Sequence, residues 1–255
     1  MLIIKDPERH PVKLGTTSAM ADDGESAGIS AKSVVTNNHH RPKLLDLFCG
    51  AGGAAVGYHR AGFEVVGVDI VDHSKYYPYE FIQGDALTYL MDNYWQFDAI
   101  HASPPCQRFS QMQHIHKNKH KHPDLLTPTR KALQTINKPY VIENVVGAPL
   151  RIDLMLCGTM FGLRIIKHRI FESNISMPLL TMMCNHEDVY DPWHGHSRGN
   201  YREKDKLFAA MGIDWYMPQK MIGQALPPAY TEYIGKILME HLSTQEKSPA
   251  ATGDK

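Results

Sequence analysis

The chain has 255 residues, with 27 Lys+Arg against 27 Asp+Glu, so the formal net charge is zero and any basic face for a polyanion must be local. That length suits one substantial domain with an insertion, or two small ones, and 43% hydrophobic with 21% charged residues is ordinary globular usage. Four cysteines, Cys49, Cys106, Cys157 and Cys184, are too few and too scattered for a disulfide scaffold, and no apolar run suits a membrane span or a signal peptide, so a reducing, cytoplasmic setting is expected.

Residues 1–41 mix small, polar and charged types without periodicity and read as a disordered tail, as do residues 243–255. Between them, residues 44–48 read as a buried strand, followed by a glycine turn and a small-residue helix at 54–61. Strands follow at 64–68 and 79–83, a helix at 87–94, and a fourth strand at 97–102. A long polar loop leads to a helix at 128–135 and a strand at 140–143, with shorter strands at 154–157 and 165–171. Residues from about 172 to 217 lose this rhythm and read as a small lobe, after which an amphipathic helix spans 229–241. Strands alternating with helices predict an α/β fold with a doubly wound, mostly parallel sheet. We place its domain at 42–171 and 218–242.

Three strand ends carry chemistry. Asp46-Leu47-Phe48-Cys49-Gly50-Ala51-Gly52-Gly53 lies between a strand and a helix, where glycines admit a ligand close to the backbone and the helix N-terminus offers free N–H groups. Asp69 stands at the distance for a ribose hydroxyl, and Asp85 suits an adenine amino group or a plain helix cap. This turn alone does not separate NAD from S-adenosylmethionine. The second end is Ser103-Pro104-Pro105-Cys106-Gln107, which puts a stiffened cysteine beyond the fourth strand. The third is Glu143-Asn144-Val145, a carboxylate closing an apolar strand, where burial is costly without a partner. Lys167 and Arg169 alternate with apolar residues, as on one face of a strand, to meet a base carbonyl and a phosphate or to line a solvated edge.

In this order the motifs resemble the DNA cytosine-5 methyltransferase family, over residues 43–172 and 219–240, and in particular its small phage or prophage-type members. DLFCGAGG (46–53) is similar to the cofactor motif, SPPCQ (103–107) to the nucleophile motif, ENV (143–145) to the glutamate motif, and GQALPP (223–228) to the motif that closes the cofactor site. The resemblance implies a Rossmann-like methyltransferase fold and S-adenosyl-L-methionine as cofactor, contacted by Phe48, Gly50, Gly52 and Asp69. It extends that contact set to Ile70, Asp85, Ala86, Pro104 and Gln224. It implies Cys106 as nucleophile on C6 of a flipped cytosine, Glu143 on N3 and the exocyclic amine, and Arg169 on O2. Of the family's arginine motif only Arg169 carries over, with Lys167 a loose substitute. The implied partner is double-stranded DNA, bound by a monomer without an obligate protein partner or a membrane.

The same chemistry on RNA, a weakly catalytic DNA-binding protein and an NAD oxidoreductase are the competing readings. The last leaves SPPCQ and ENV unexplained. Lys117, Lys119 and Lys121 suit phosphate contacts in a loop after the nucleophile, against a plain solvated loop or a metal trap made by the histidines at 114–122. Residues 172–217 are read as a short target-recognition lobe. Within it, Cys184, His186, His194 and His196 would suffice for a zinc site, but their spacing is irregular and His abundant, so no metal ligand is assigned.

Overall fold

The computed structural model describes residues 40–105, 124–178, 183–187, 189 and 204–247. Cys106, the lysines at 117–121, both ends of the chain, and His194 and His196 therefore lie outside the described residues.

The expected doubly wound sheet is present. Strands β1 (Lys43–Leu47), β2 (Glu64–Asp69), β3 (Glu80–Gln83), β4 (Ala99–Ala102), β5 (Tyr140–Val145), β6 (Leu154–Leu156) and β7 (Arg169–Ser173) form one sheet in the order β3-β2-β1-β4-β5-β7-β6. β1 to β5 are mutually parallel, whereas β7 runs antiparallel to both β5 and β6. The described α-helices are α1 (Gly53–Ala61), α2 (Ala86–Asn93), α3 (Leu126–Thr135), α4 (Lys204–Met211), α5 (Gln219–Ile222) and α6 (Pro228–Lys247).

Strand alternation sorts the core into two layers. Leu44, Val65, Ala99 and Val141 pack with Tyr58 of α1 and Tyr230, Ile234 and Leu238 of α6. Their chain neighbours Leu45, Val66, Ile100 and Ile142 face the other way, against Leu90 of α2 and Leu126 and Leu133 of α3. A third cluster joins Leu207, Ala210 and Met211 of α4 to Ile213, Met217, Met221 and Ile222, and reaches Ala51 in the glycine turn.

Two elements differ from the sequence reading. β7 begins at Arg169, not at 165, so Lys167 is not on a strand face. Pairing stops there because Arg169 is already opposite Val145 and Leu156, the last residues of both neighbouring strands. Glu172, read as the start of the small lobe, is instead 2% exposed inside β7 and bidentate with Arg130. Helix α6 continues past His241 to Lys247, with Leu242 packed on the first layer.

Candidate functional site

Five parallel strands place their carboxyl ends at one sheet edge, and the reversed β7 brings its first residue, Arg169, to the same edge. The glycine turn after β1 is held there by specific bonds. Gly50 N–H donates to Asp69 Oδ2 at 3.0 Å, and Val71 N–H donates to Asp69 Oδ1 at 3.0 Å. A carboxylate has about four acceptor sites, so Asp69 can fix the turn and still accept from a ligand hydroxyl. Phe48, with φ 58°, is the one described non-glycine residue in the left-handed region, a strained conformation of the kind that gathers at functional sites. Gly52 has φ 86°, and a Cβ there would also meet Pro78 at 2.6 Å.

The residues suit a nucleoside-bearing cofactor. A Cβ built on Gly50 meets nothing within 4 Å, which leaves open space at the turn. Ile70, directly after Asp69, is 69% exposed, an apolar surface of the kind an aromatic base covers. Asp85 caps α2, accepting from both the N–H and the hydroxyl of Thr88 through Oδ1, and these bonds hold its carboxyl below the usual range. Both readings of Asp85 are thus compatible. Ala86 is buried at the start of α2. Gln224 is exposed beside Leu226, whose backbone oxygen lies 2.5 Å from where a Cβ on Gly53 would stand. The GQALPP segment therefore packs directly on the start of α1.

The other half of the edge is an ion pair. Arg169 Nε lies 2.9 Å from Glu143 Oε1, with both side chains largely buried. This pairing answers the cost of burying Glu143 at a strand end. Asn144, on the opposite face of β5, donates its amide to the carbonyl of Pro104 at 3.0 Å. Pro104 is buried, two positions before Cys106. The structure thus pairs Glu143 with Arg169 and ties Pro104 to Asn144, next in β5, while Cys106 is outside the described residues.

Lys167 departs from expectation. Its buried ammonium donates to the carbonyl of Gly223 at 2.7 Å, and Tyr230 Oη donates to its backbone carbonyl at 2.6 Å. It anchors GQALPP to the strand carrying Arg169, in place of either a phosphate contact or a solvated edge. His101, which belongs to none of the sequence motifs, is fully buried in β4. Its Nδ1 meets Tyr58 Oη at 2.9 Å and its Nε2 meets Ser103 Oγ at 2.8 Å. Burial lowers its pKa to about 3. A histidine inside an apolar strand was the available signal. Cys49 is buried, and that burial, with Asp46 and Asp69 nearby, pushes its thiol up, which suits packing.

Comparison with known proteins bears on this arrangement. Residues 42–149 match the family model for C-5 cytosine-specific DNA methylase. The type II methyltransferase M.FnuDI of Fusobacterium nucleatum is 37% identical over 75 residues, covering 27% of this chain and 22% of that enzyme. M1.HphI of Haemophilus parahaemolyticus is 34% identical over 79 residues, covering 26% of this chain and 21% of that enzyme. The chain thus matches only about a fifth of the length of these curated relatives. The fold is that of the S. pombe Dnmt2 methyltransferase, with a TM-score of 0.54 at 12% identity over 80% of this chain and 99% of that one. Among the described residues no helix is long and apolar enough to cross a membrane.

Proposed function

We propose that this chain, whose residues 42–149 match a C-5 cytosine-specific DNA methylase domain, transfers a methyl group to C5 of cytosine in double-stranded DNA. The observation that carries the reading is the buried Glu143–Arg169 pair on the same edge as Pro104, whose carbonyl Asn144 holds. S-adenosyl-L-methionine, when bound, supplies an electrophilic methyl group.

The chain's own residues do the rest. Asp69 and Asp85 receive the ribose and adenine, Ile70 covers the base, and the Phe48–Gly52 turn lets the backbone approach. Ala86, Pro104 and Gln224 complete the cofactor's surroundings. Cys106, as thiolate, attacks C6 of a cytosine turned out of the duplex, and the electron pair moves to C5, which is otherwise a poor nucleophile. Glu143 in its protonated form donates to N3 and accepts from the exocyclic amine, while Arg169, its partner at the edge, reaches O2 and stabilises charge developing on the ring. C5 takes the methyl group and leaves the cofactor as S-adenosylhomocysteine; water then accepts the C5 proton, the C5–H electron pair re-forms the C5–C6 double bond, and the Cys106–C6 bond breaks to return the thiolate. Base flipping is the geometric requirement, since C6 is covered in a stacked duplex. Lys117, Lys119 and Lys121 add phosphate contacts without sequence information, and the short lobe reads the target as part of a monomer in the cytoplasm.

The experiment is methyl transfer from labelled S-adenosylmethionine to duplex DNA with tRNA in competition, beside trapping on duplex DNA containing 5-fluorocytosine. The expected result is label in DNA and a covalent adduct that Cys106→Ser abolishes. Label confined to tRNA moves the substrate to RNA. Neither label nor adduct with the unmutated chain overturns the reading.

A further inference from the structure

At the β6–β7 end of the same sheet edge, Cys157, His168, Cys184 and His186 bring one sulfur or ring nitrogen each to a common point, all within 4.8 Å of one another. Only Cys184 and His186 figured among the sequence candidates for zinc. Among the described residues their partners are Cys157 after β6 and His168 before β7, while His194 and His196 lie outside the described residues. These come from the two ends of one strand connection, so no short spacing announces them.

The geometry points to a structural zinc site of the Cys2His2 type. Cys157 Sγ lies 3.6 Å from His186 Nε2, and Cys184 Sγ lies 3.6 Å from His168 Nε2. Zinc–sulfur and zinc–nitrogen bonds of about 2.3 and 2.0–2.1 Å at a tetrahedral angle put sulfur and nitrogen about 3.6 Å apart. The imidazole rings are 5.0 Å apart and inclined at 72°, so they approach the common point from different directions instead of stacking. Two thiolates with two neutral imidazoles balance the charge of a zinc ion, which suits a site ranging from the buried Cys157 to the exposed His186. Thr159 supports the set by donating its hydroxyl to Cys157 Sγ at 3.4 Å.

The site joins two parts of the chain. Cys157 and His168 belong to the β6–β7 connection, and Cys184 and His186 to the segment that enters the small lobe. His168 is next to Arg169, whose Nη1 donates to the His168 carbonyl at 2.8 Å. A zinc ion here pins the start of the lobe beside the arginine of the Glu143 pair.

The test uses the full chain. Metal analysis after purification is expected to give one zinc per chain, and cobalt substitution the absorption of tetrahedral cobalt with thiolate-to-cobalt charge transfer. His186→Ala, at an exposed position, is expected to weaken cobalt binding at least tenfold without unfolding the chain, and Cys106→Ser to leave it unchanged. Thiolate absorption that survives in the double variant Cys157→Ser/Cys184→Ser, or is lost in Cys106→Ser, overturns the assignment. So does a cobalt complex with no thiolate band, which would place the metal among the histidines at 114–122. A chain that takes up neither zinc nor cobalt, or carries a Cys157–Cys184 disulfide by mass analysis, overturns it equally.

Discussion

Asn144 donates its side-chain amide to the carbonyl of Pro104 at 3.0 Å, and so ties the strand that carries Glu143 to the loop that leads to Cys106. At 1% exposure Asn144 has no water to replace that bond. Asn144→Ala leaves the Pro104 carbonyl without its donor, at a cost of about 1–3 kcal/mol in unfolding free energy. The freed loop is expected to slow adduct formation with 5-fluorocytosine DNA by on the order of 100-fold. Single-turnover trapping measures this. Trapping at the unmutated rate would show that the bond does not position the loop.

Glu143 and Arg169 form a largely buried pair, so removing one partner differs from removing both. Arg169→Ala strands the Glu143 carboxylate and is expected to destabilise by about 3 kcal/mol, whereas adding Glu143→Gln restores part of that loss. A double-mutant cycle in urea should give a coupling of about 1 kcal/mol or more. Each single variant is expected to lose about 100-fold to 1,000-fold in methyl transfer. Additive stabilities would mean that the pair is not coupled in solution.

Much of this edge was legible in the sequence, because glycines after a strand and carboxylates at strand ends are local signals. The strand order, and the meeting of Glu143 with Arg169, depended on pairing. Lys167 shows why local reading stops short. Alternation of Ile165, Lys167 and Arg169 imitates a strand, but strands need neighbours, and both partners of β7 end opposite Arg169. The ammonium then finds the Gly223 carbonyl, a partner distant in sequence. Cys157 and His168 stayed hidden for the same reason. Helix α4 was masked by the polar residues around it, although Leu207 and Met211 bury its inner face.

Ile70 separates binding from folding. At 69% exposure it adds little to the core, so Ile70→Ala is expected to change stability by no more than about 0.5 kcal/mol. If adenine covers it, losing that apolar surface weakens S-adenosylmethionine by about 1–2 kcal/mol, or roughly 5- to 30-fold in Kd. Calorimetric titration of both proteins decides it. Equal affinities would place the base elsewhere on the edge.

Asp46 is fully buried, with Oδ1 lacking a partner among the described residues and Oδ2 accepting from Tyr77 Oη at 3.4 Å. Burial raises its pKa well above the ordinary value, opposed by the Tyr77 bond and reinforced by Asp69. A carboxyl with a raised folded-state value contributes stability below about pH 4 that is lost as pH rises. Asp46→Asn removes this dependence at nearly constant shape. Its stability relative to the unmutated chain is expected to improve by about 1.4 kcal/mol for each pH unit above 4, until the folded carboxyl ionises. Urea unfolding from pH 4 to 7 measures the gap, and a gap that stays constant would place the Asp46 carboxyl in contact with water.

His101 has the opposite sign. Its folded value is lowered by burial to about 3, against an ordinary 6.5. Below pH 6.5 the unfolded chain takes up a proton that the folded chain refuses, so stability falls with pH across that interval. Asp46 works against this in the same range, so the raw curve of the unmutated chain mixes both effects. The difference from His101→Gln isolates the histidine, because Gln keeps a partner for Ser103 but does not titrate. Whatever fixed cost the substitution carries, the unmutated chain should lose about 1.4 kcal/mol per pH unit relative to the variant from pH 6 to 4. Parallel curves would mean that His101 is protonated in the fold. The Tyr58–His101–Ser103 chain would then need an acceptor on both sides of the ring, a demand that two hydroxyls can meet only by turning their own protons elsewhere.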